Sequence, residues 1–201
     1  MIIVFEGIDG AGKTTMCKML KSYLEQRGFS VAVYSYPNKS SLYGKIIRQF
    51  LSSEIVLDPE EQFFLYILDM YRDKKDVLGK ISQGYIVLMD RYYTSTIAYQ
   101  CSQGFDYNFA KHVIEYLRLP KPEVIIYLDI DPITSLKRLE SKEKLEVFER
   151  NISFLEKVRN MYLQMAKEGY PTKNWIHINA KNSIDKVFTE VVDAVCKLIK
   201  C

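Results

Sequence analysis

The hydrophobic pattern of this chain alternates between two kinds of segment. Five short runs are apolar on consecutive residues or rich in β-branched and aromatic residues, and stretches with apolar residues at helical spacing separate them. The runs are Ile2 to Phe5, Val31 to Tyr36, Tyr85 to Met89, Val124 to Leu128 and Trp175 to Ile178. Continuous apolar runs are typical of strands that helices cover on both faces. The pattern predicts an α/β fold, a five-stranded parallel sheet with helices on both faces.

Capping residues indicate where several helices begin. Asp58-Pro59 and Asp131-Pro132 each place an acidic N-cap before a proline, which is tolerated at the first helical position. Ser183 precedes the apolar positions of the last predicted helix, and Gly28 ends the first. These boundaries agree with the hydrophobic pattern.

Length and composition fit one folded domain. The chain has 201 residues, 48% of them hydrophobic, and no repeat, low-complexity tract or linker divides it. We therefore predict a single domain over residues 1–201. With 28 Lys and Arg residues against 25 Asp and Glu, the formal charge of +3 is spread along the chain without a basic block. A nucleic acid partner is therefore not expected.

The distribution of apolar residues and cysteines suggests a cytoplasmic protein. Apolar runs such as 63–68 are far too short to span a bilayer, so no membrane partner is expected. A predicted strand and a glycine-rich motif fall within the first 14 residues, so no signal peptide is expected. The four cysteines are scattered, without the spacing of a metal site.

Residues 7–14 read Gly-Ile-Asp-Gly-Ala-Gly-Lys-Thr, the pattern GxxxxGK[ST] of a phosphate-binding loop between a predicted strand and a predicted helix. Its glycines let backbone N–H groups surround phosphates, Lys13 reaches the β- and γ-phosphates, and the Thr14 hydroxyl can ligate Mg²⁺. The predicted nucleotide-binding residues are Gly7, Gly10, Ala11, Gly12, Lys13, Thr14 and Thr15. An ordinary glycine-rich turn is the alternative, which the order of strand, loop and helix disfavours.

A second group of polar residues, Asp90-Arg91-Tyr92, follows the predicted strand that ends at Met89. Residues just past the carboxyl ends of strands face the ligand crevice of an open α/β sheet. Asp90 is therefore expected to hold Mg²⁺ directly or through water. A local ion pair between Asp90 and Arg91 is the alternative. The phosphate loop in the same chain favours the functional interpretation.

Over nearly its whole length the sequence resembles the thymidylate kinase family, whose members phosphorylate dTMP with ATP. The motifs are Phe5-Glu6-Gly7-Ile8-Asp9, Tyr36-Pro37-Asn38-Lys39 with Gly44-Lys45, Ser82-Gln83-Gly84, Asp90-Arg91-Tyr92 with Ala98-Tyr99-Gln100, Pro120-Lys121-Pro122-Glu123 and Ile178-Asn179-Ala180. The phosphate loop is generic, whereas Asp-Arg-Tyr followed by Ala-Tyr-Gln is much more specific. The resemblance implies a P-loop kinase fold, ATP and Mg²⁺ as cofactors, dTMP as acceptor and a homodimer.

The resemblance also implies roles in binding the acceptor's phosphate and sugar. Arg91 would bind the phosphate, and Lys39 stands where the family usually has an arginine for the same group. Asp9 would position the 3′-hydroxyl of the sugar and the metal, and Tyr99 would close the pocket over the 2′ position. Tyr36, in the motif that contains Lys39, belongs to the same predicted site. Transfer between two anionic phosphates needs such cations and little covalent chemistry.

The predicted base site departs from the family at one position. By the resemblance, Tyr66 would stack on thymine and Thr96 would hydrogen-bond the base, with core packing as the alternative for Tyr66. The arginine that usually reads the thymine O4 is replaced by Met70, and Arg72 follows two residues later. Two residues rotate a helical side chain by roughly 200°, so Arg72 is a candidate for this role only if the helix is shifted or distorted. Weaker discrimination among pyrimidine bases is therefore expected.

The predicted flap, about residues 138–150, also departs from the family's sequence pattern. Related enzymes with an uncharged residue at the place of Gly10 generally carry catalytic arginines there, but residues 140–149 offer only Lys142 and Lys144. A lysine supplies charge without the bidentate fork of arginine. A solvated helix surface is the alternative for this segment. Arg138, together with Ala180, is assigned to the adenine side of ATP, and a helix-surface arginine is its alternative.

The sequence thus favours a kinase that transfers the ATP γ-phosphate to dTMP, with Lys13, Asp9, Arg91, Lys142 and Lys144 as its catalytic residues. Kinases for dUMP or dCMP, and deoxynucleoside kinases, are rival enzymes. A nucleotide-controlled switch is a rival of another class. It is disfavoured because the sequence contains no NKxD motif for reading guanine.

Overall fold

The computed structural model describes residues 1–139 and 145–199, and within them the strands form one five-stranded parallel sheet. The spatial order is β2-β3-β1-β4-β5. The strands are β1 (Ile2–Glu6), β2 (Val31–Ser35), β3 (Ile86–Asp90), β4 (Val124–Asp129) and β5 (Trp175–Asn179). The predicted fold class and all five predicted strands are confirmed, with ends that differ from the hydrophobic runs by one residue.

Eight α-helices connect or follow these strands within the described ranges. They are α1 (Lys13–Glu25), α2 (Leu42–Leu51), α3 (Pro59–Ser82), α4 (Tyr93–Cys101), α5 (Tyr107–Tyr116), α6 (Pro132–Leu139), α7 (Ile152–Glu168) and α8 (Ile184–Ile199). A 3₁₀ turn, Phe148–Arg150, precedes α7. Helices α1 and α8 pack together against the sheet, while α4 packs between α3 and α7.

Burial along the strands explains their sequence pattern. Every residue of β1 and β3 is buried, which requires cover on both faces of the central sheet. The edge strands β2 and β5 are only partly buried and mix apolar with polar residues. The core therefore lies on both sides of β1, β3 and β4, directly beneath the loops at their carboxyl ends.

The expected Asp-Pro caps begin α3 and α6. Asp58 and Glu61 form a reciprocal capping box at the start of α3: the Glu61 N–H donates to Asp58 Oδ1 at 2.7 Å, and the Asp58 N–H donates to Glu61 Oε2 at 2.9 Å. At α6 the Thr134 N–H donates to Asp131 Oδ1 at 2.9 Å. Both helices have proline at their first position, as the sequence predicts.

The sheet register brings the two predicted motifs together. Phe5 of β1 pairs with Asp90 of β3, so the phosphate loop and the Asp90-Arg91 segment leave adjacent strands at the same edge. β1 lies between β3 and β4, where the chain order reverses, and ligands of open α/β sheets bind at such a crevice. Within the described residues, no helix combines the length and apolar character that crossing a membrane requires. Lys142 and Lys144 of the predicted flap lie outside the described residues.

Candidate active site

The phosphate loop owes its shape to three glycines. Gly10 and Gly12 have φ values of 73° and 94°, in the left-handed region that side chains disfavour. A Cβ added at Gly7 would lie 2.5 Å from the Leu128 carbonyl oxygen, so no larger residue fits between β1 and β4. Gly12 is the N-cap of α1 and provides no capping side chain, which leaves the first N–H groups of the helix directed at the loop. This is an anion-binding arrangement.

Lys13 lies at the start of α1, and its ammonium group is buried. Its Nζ donates to the Ile8 carbonyl at 2.8 Å, which holds the side chain back over the loop. Burial, and the neighbouring Arg91 guanidinium, lower the pKa of Lys13 to about 8. The loop thus presents a cation that is close to its titration range at neutral pH.

Thr14 and Asp90 meet at the opposite side of the loop. The Thr14 hydroxyl donates to Asp90 Oδ2 at 2.5 Å, which brings the two predicted metal ligands into contact. A hydroxyl and a carboxylate are hard oxygen donors that suit Mg²⁺, an ion that keeps several waters and binds substrate phosphates. No cluster of three His, Cys, Asp or Glu side chains suited to a metal occurs in the described ranges, 1–139 and 145–199. The residues present fit a magnesium ion shared with a nucleotide.

Arg91 and Asp9 form a partly buried ion pair between the two motifs. Arg91 NH2 lies 2.5 Å from Asp9 Oδ1, and Arg91 NH1 donates to the Gly7 carbonyl at 3.1 Å and to Ser95 Oγ at 3.2 Å. Burial opposes ionisation of Asp9, but Arg91 and Lys13 outweigh it and lower the Asp9 pKa to about 2. Arg91 itself has φ 67°, a conformation uncommon for a residue with a side chain. This strained position directs a guanidinium towards the phosphate loop.

One cavity of about 490 Å³ connects the loop with most of the predicted acceptor site. Its lining includes the predicted residues Asp9, Gly10, Gly12, Lys13, Thr14, Thr15, Tyr36, Lys39, Tyr66, Met70, Asp90, Arg91, Thr96, Tyr99 and Arg138. Tyr99 is held at the centre, where its hydroxyl donates to Asp9 Oδ2 at 3.0 Å and its ring packs edge-on against Phe148. The β2–α2 loop, α3, α4 and the 3₁₀ turn therefore converge on the phosphate loop.

Arg72 is not brought into this cavity. Its side chain is 47% exposed and lies 3.9 Å from Asp73, whereas Met70 of the same helix is buried and lines the cavity. The physical reason is the rotation of roughly 200° between positions two residues apart on a helix. Arg72 is thus removed from the candidate base site, and Met70 occupies it.

Gln100, which sequence reasoning did not assign, also lines the cavity. Among the described residues, neither its Oε1 nor Thr96 Oγ1 has a hydrogen-bond partner, although both atoms are buried. Buried polar atoms without partners are rare in folded proteins and call for an explanation. The motif Ala98-Tyr99-Gln100 was a signal for this residue, but its role depends on which groups surround α4.

A chain of side-chain amides fixes the orientation of Gln100. Gln62 Nε2 donates to the Leu57 carbonyl at 2.8 Å, and a carbonyl can only accept. Gln62 Oε1 is therefore left to accept from Gln100 Nε2 at 3.1 Å and from Gln103 Nε2 at 2.8 Å. The Gln100 amide nitrogen is thereby committed to Gln62. Its oxygen remains as an acceptor at the cavity.

Arg48 is a second cavity residue that sequence reasoning missed. It lies in the last turns of α2 and lines the cavity together with Lys39. No motif identifies it, because its position depends on how α2 packs beside α3. The cavity therefore has one more cation than the sequence predicts.

A second cavity lies on the other side of the phosphate loop. Arg138 NH2 donates to the Ala180 carbonyl at 2.7 Å, and its NH1 donates to the Gly10 carbonyl at 3.2 Å. The cavity is lined by Gly10, Ala11, Gly12, Thr15, Met16, Arg138, Ala180, Asn182, Ser183, Ile184 and Val187. The two predicted adenine-side residues are thus brought together beside the loop.

The fold and the phosphate loop together define a P-loop phosphotransferase, and Lys13 and Arg91 line the same cavity. The family model described as thymidylate kinase matches residues 5–191. The chain belongs to the thymidylate kinase family.

Several archaeal relatives named probable thymidylate kinase are similar over nearly their whole length. The relative from Archaeoglobus fulgidus is 38% identical, and the match covers 95% of this chain and 92% of the relative. The relative from Methanosphaera stadtmanae is also 38% identical, with both chains covered completely. The relative from Pyrococcus horikoshii is 35% identical, with 96% of this chain and 94% of the relative covered.

Proposed function

We propose that this protein transfers the γ-phosphate of ATP to dTMP and forms dTDP. The observation that carries the proposal is the single cavity in which the phosphate loop faces Arg91, Tyr66 and Thr96. A donor and an acceptor bound at its two ends would bring two phosphates together, which supplies most of the catalysis in phosphoryl transfer. Membership of the thymidylate kinase family supports the same conclusion and does not favour a nucleotide-controlled switch.

The phosphates would be bound by cations from three elements. Lys13 and the N–H groups at the start of α1 receive the donor phosphates, and Arg91 with Lys39 receives the acceptor phosphate. Thr14 and Asp90 would hold Mg²⁺, which neutralises charge on the transferring group. Asp9, kept ionised by Arg91, accepts a hydrogen bond from the sugar's 3′-hydroxyl. These contacts stabilise charge without forming a covalent intermediate.

The base end of the cavity favours a pyrimidine that carries an N–H group. Gln100 Oε1 is an acceptor whose orientation the Gln62 amide fixes. It matches the N3–H group of thymine or uracil and opposes the N3 acceptor of cytosine. Met70 offers apolar contact to the thymine methyl, Thr96 a neutral hydrogen bond, and Tyr66 a stacking face. This arrangement favours dTMP over dCMP as the acceptor.

The remaining cations would act on the reacting phosphates from the rim. Arg48 lines the cavity, and Lys142 and Lys144 belong to the predicted flap. In this proposal the two lysines close over the phosphates in place of the family's flap arginines, and Arg48 supplies a bidentate group that they lack. Arg138 and Ala180 frame the adenine of ATP.

The same proposal includes a homodimer. The outer face of α3 exposes Phe64, Leu68, Tyr71 and Leu78, a helical stripe that the described residues leave exposed, and Phe105 connects it to the exposed Phe109. A contiguous exposed apolar surface marks an interface, and a second copy of the same stripe would complete it by two-fold symmetry. We expect a dimer by light scattering, and Leu68→Lys should shift it to the monomer.

Acceptor-dependent turnover tests the proposal. The protein is incubated with Mg·ATP and each deoxyribo- and ribonucleoside monophosphate in turn, and the products are separated. We expect dTDP and ADP in equal amounts with dTMP, little product with dCMP, and slow ATP hydrolysis without an acceptor. ATP hydrolysis that is unchanged by every monophosphate would favour a switch and contradict the proposal.

A further inference from the structure

Glu6 is a fully buried carboxyl group at the end of β1 and is not among the residues that line the proposed active-site cavity. Its Oε1 accepts hydrogen bonds from the backbone N–H groups of Tyr92 at 3.0 Å and Ser95 at 3.1 Å and from the Thr94 hydroxyl at 2.6 Å. Its Oε2 accepts from the Ser95 hydroxyl at 2.5 Å and the Tyr162 hydroxyl at 3.0 Å. Both oxygens of this side chain are thus occupied.

A carboxyl group in this position is costly. Burial raises the pKa of Glu6, and the hydrogen bonds from Ser95 and Thr94 oppose that rise. A well-packed apolar side chain fills such a site without the desolvation penalty of a buried charge. A polar group at this position is therefore explained by the groups that its hydrogen bonds keep in place.

One thing that Glu6 holds is the beginning of α4. The N-cap residue Tyr92 makes no side-chain capping bond, and the first turn of α4 has no acidic residue. The two backbone N–H groups that Glu6 receives belong to this N-terminus. Glu6 therefore acts as the N-cap of α4, although it lies on β1 and α4 follows β3. Its hydrogen bonds join the start of α4 to β1. Arg91 lies in the connection between β3 and α4.

The second thing that Glu6 holds is the Ser95 hydroxyl. That hydroxyl has one proton, and its donation to Glu6 leaves the oxygen lone pairs available as acceptors. Arg91 NH1 donates to this oxygen at 3.2 Å and to the Gly7 carbonyl at 3.1 Å. With Asp9 on NH2, three acceptors fix the plane of the guanidinium. Glu6 sets the direction of one of them.

We propose that Glu6 is a positioning residue for Arg91, acting through the Ser95 hydroxyl and the capped start of α4. This inference rests on the proposed function, in which Arg91 binds the acceptor's phosphate. A guanidinium held in one orientation makes charge-assisted bonds to a phosphate without losing the freedom of its side chain on binding. Loss of the hydrogen bonds from Glu6 therefore weakens binding of the acceptor dTMP and leaves binding of the donor ATP unchanged.

The test compares Glu6→Gln, Ser95→Ala and the double variant. Glu6→Gln keeps the size of the side chain and removes one acceptor, so we expect the KM for dTMP to rise about tenfold, the scale of one hydrogen bond to a charged group. The KM for ATP should stay within about twofold, because the phosphate loop is untouched. Glu6→Gln keeps one oxygen to accept from the Tyr92 and Ser95 N–H groups, so the route that it removes is the acceptor of the Ser95 hydroxyl. The double variant should therefore raise the KM for dTMP no more than the larger single effect.

Thr94→Val is the matched control. Thr94 donates to the same carboxylate but does not contact Arg91, so this variant should lower the melting temperature with both KM values unchanged. If Glu6→Gln fails to fold, Ser95→Ala carries the test alone, because Glu6 then still caps α4.

Several outcomes would overturn the inference. These are an unchanged KM for dTMP in the folded single variants, equal effects on the KM values of dTMP and ATP, and additive effects in the double variant. A wild-type protein that consumes no ATP with dTMP would overturn the proposed function itself, and this inference with it.

Discussion

The two ends of the proposed active-site cavity differ in the groups that they offer to a ligand. At the donor end, one contiguous loop supplies glycine backbone, Lys13 and Thr14, and the lysine and threonine side chains already hydrogen-bond the protein at Ile8 and Asp90. At the acceptor end, the side chains assigned to the base come from two helices, α3 and α4. There Thr96 Oγ1 and Gln100 Oε1 are buried without partners in the described part of the chain. The donor end relies on backbone and charge, and the acceptor end on single side-chain atoms.

This difference decides how substitutions should act. Charge and backbone N–H groups attract any triphosphate, so a change at the donor end alters the rate with every acceptor alike. A hydrogen-bonding atom in a fixed position favours binding of one base over another. A change at the acceptor end therefore alters the ratio of kcat/KM between two acceptors. The turnover rate therefore tests the donor end, and the ratio of kcat/KM between two acceptors tests the acceptor end.

The largest effect is expected for Lys13→Ala. The substitution removes the buried cation that faces the transferring phosphate, and we expect kcat to fall on the order of a thousandfold or more. Because the lesion lies at the donor end, the ratio of dTMP to dUMP turnover should not change. Steady-state assays with both acceptors measure this, and Lys18→Ala, an exposed lysine of the same helix, is the control. Near-normal kcat in Lys13→Ala would contradict the donor-site assignment.

The next largest effect is expected for Arg91→Ala. The guanidinium makes a charge-assisted bond to the acceptor phosphate worth about 3 kcal/mol, so kcat/KM for dTMP should fall about a hundredfold. The KM for ATP should change little. Arg72→Ala, whose side chain lies outside the cavity, should leave both values near those of the wild type. A selective loss of ATP affinity in Arg91→Ala would mean that the two phosphate sites are reversed.

The same contrast explains what the sequence could predict. The strands, the α3 and α6 caps and the phosphate loop were predictable because their signals are local: consecutive apolar residues, Asp-Pro starts and a motif within eight residues. Gln100 was not, because its function depends on Gln62 and Leu57, which lie some forty residues earlier in the chain. Arg72 is a candidate only if α3 is shifted or distorted, and in the structure its side chain is 47% exposed and lies outside the cavity.

As the pH rises, kcat/KM for ATP should fall before kcat does. Burial lowers the Lys13 pKa to about 8, so the charged form is lost as pH rises through that value. Since kcat/KM reports the free enzyme, its value for ATP should fall about tenfold between pH 7 and pH 9. Bound phosphates favour the charged lysine, so kcat should hold to higher pH. A pH profile of kcat/KM for ATP that stays flat to pH 9.5 would contradict this role for Lys13.

The smallest effect concerns the choice between dTMP and dUMP. Gln100 accepts from the N3–H group that both bases have, and Met70 replaces a cation that would donate to O4. The only difference that remains is one methyl group against Met70, worth about 1 kcal/mol, so we expect dUMP to be used within about tenfold of dTMP. The ratio of kcat/KM for the two acceptors, measured in competition, gives the answer. Met70→Arg should raise kcat/KM for both acceptors, because the new donor reaches O4 of either base, while leaving their ratio nearly unchanged. A wild-type preference for dTMP of several thousandfold would mean that a group other than Met70 and Gln100 detects the methyl.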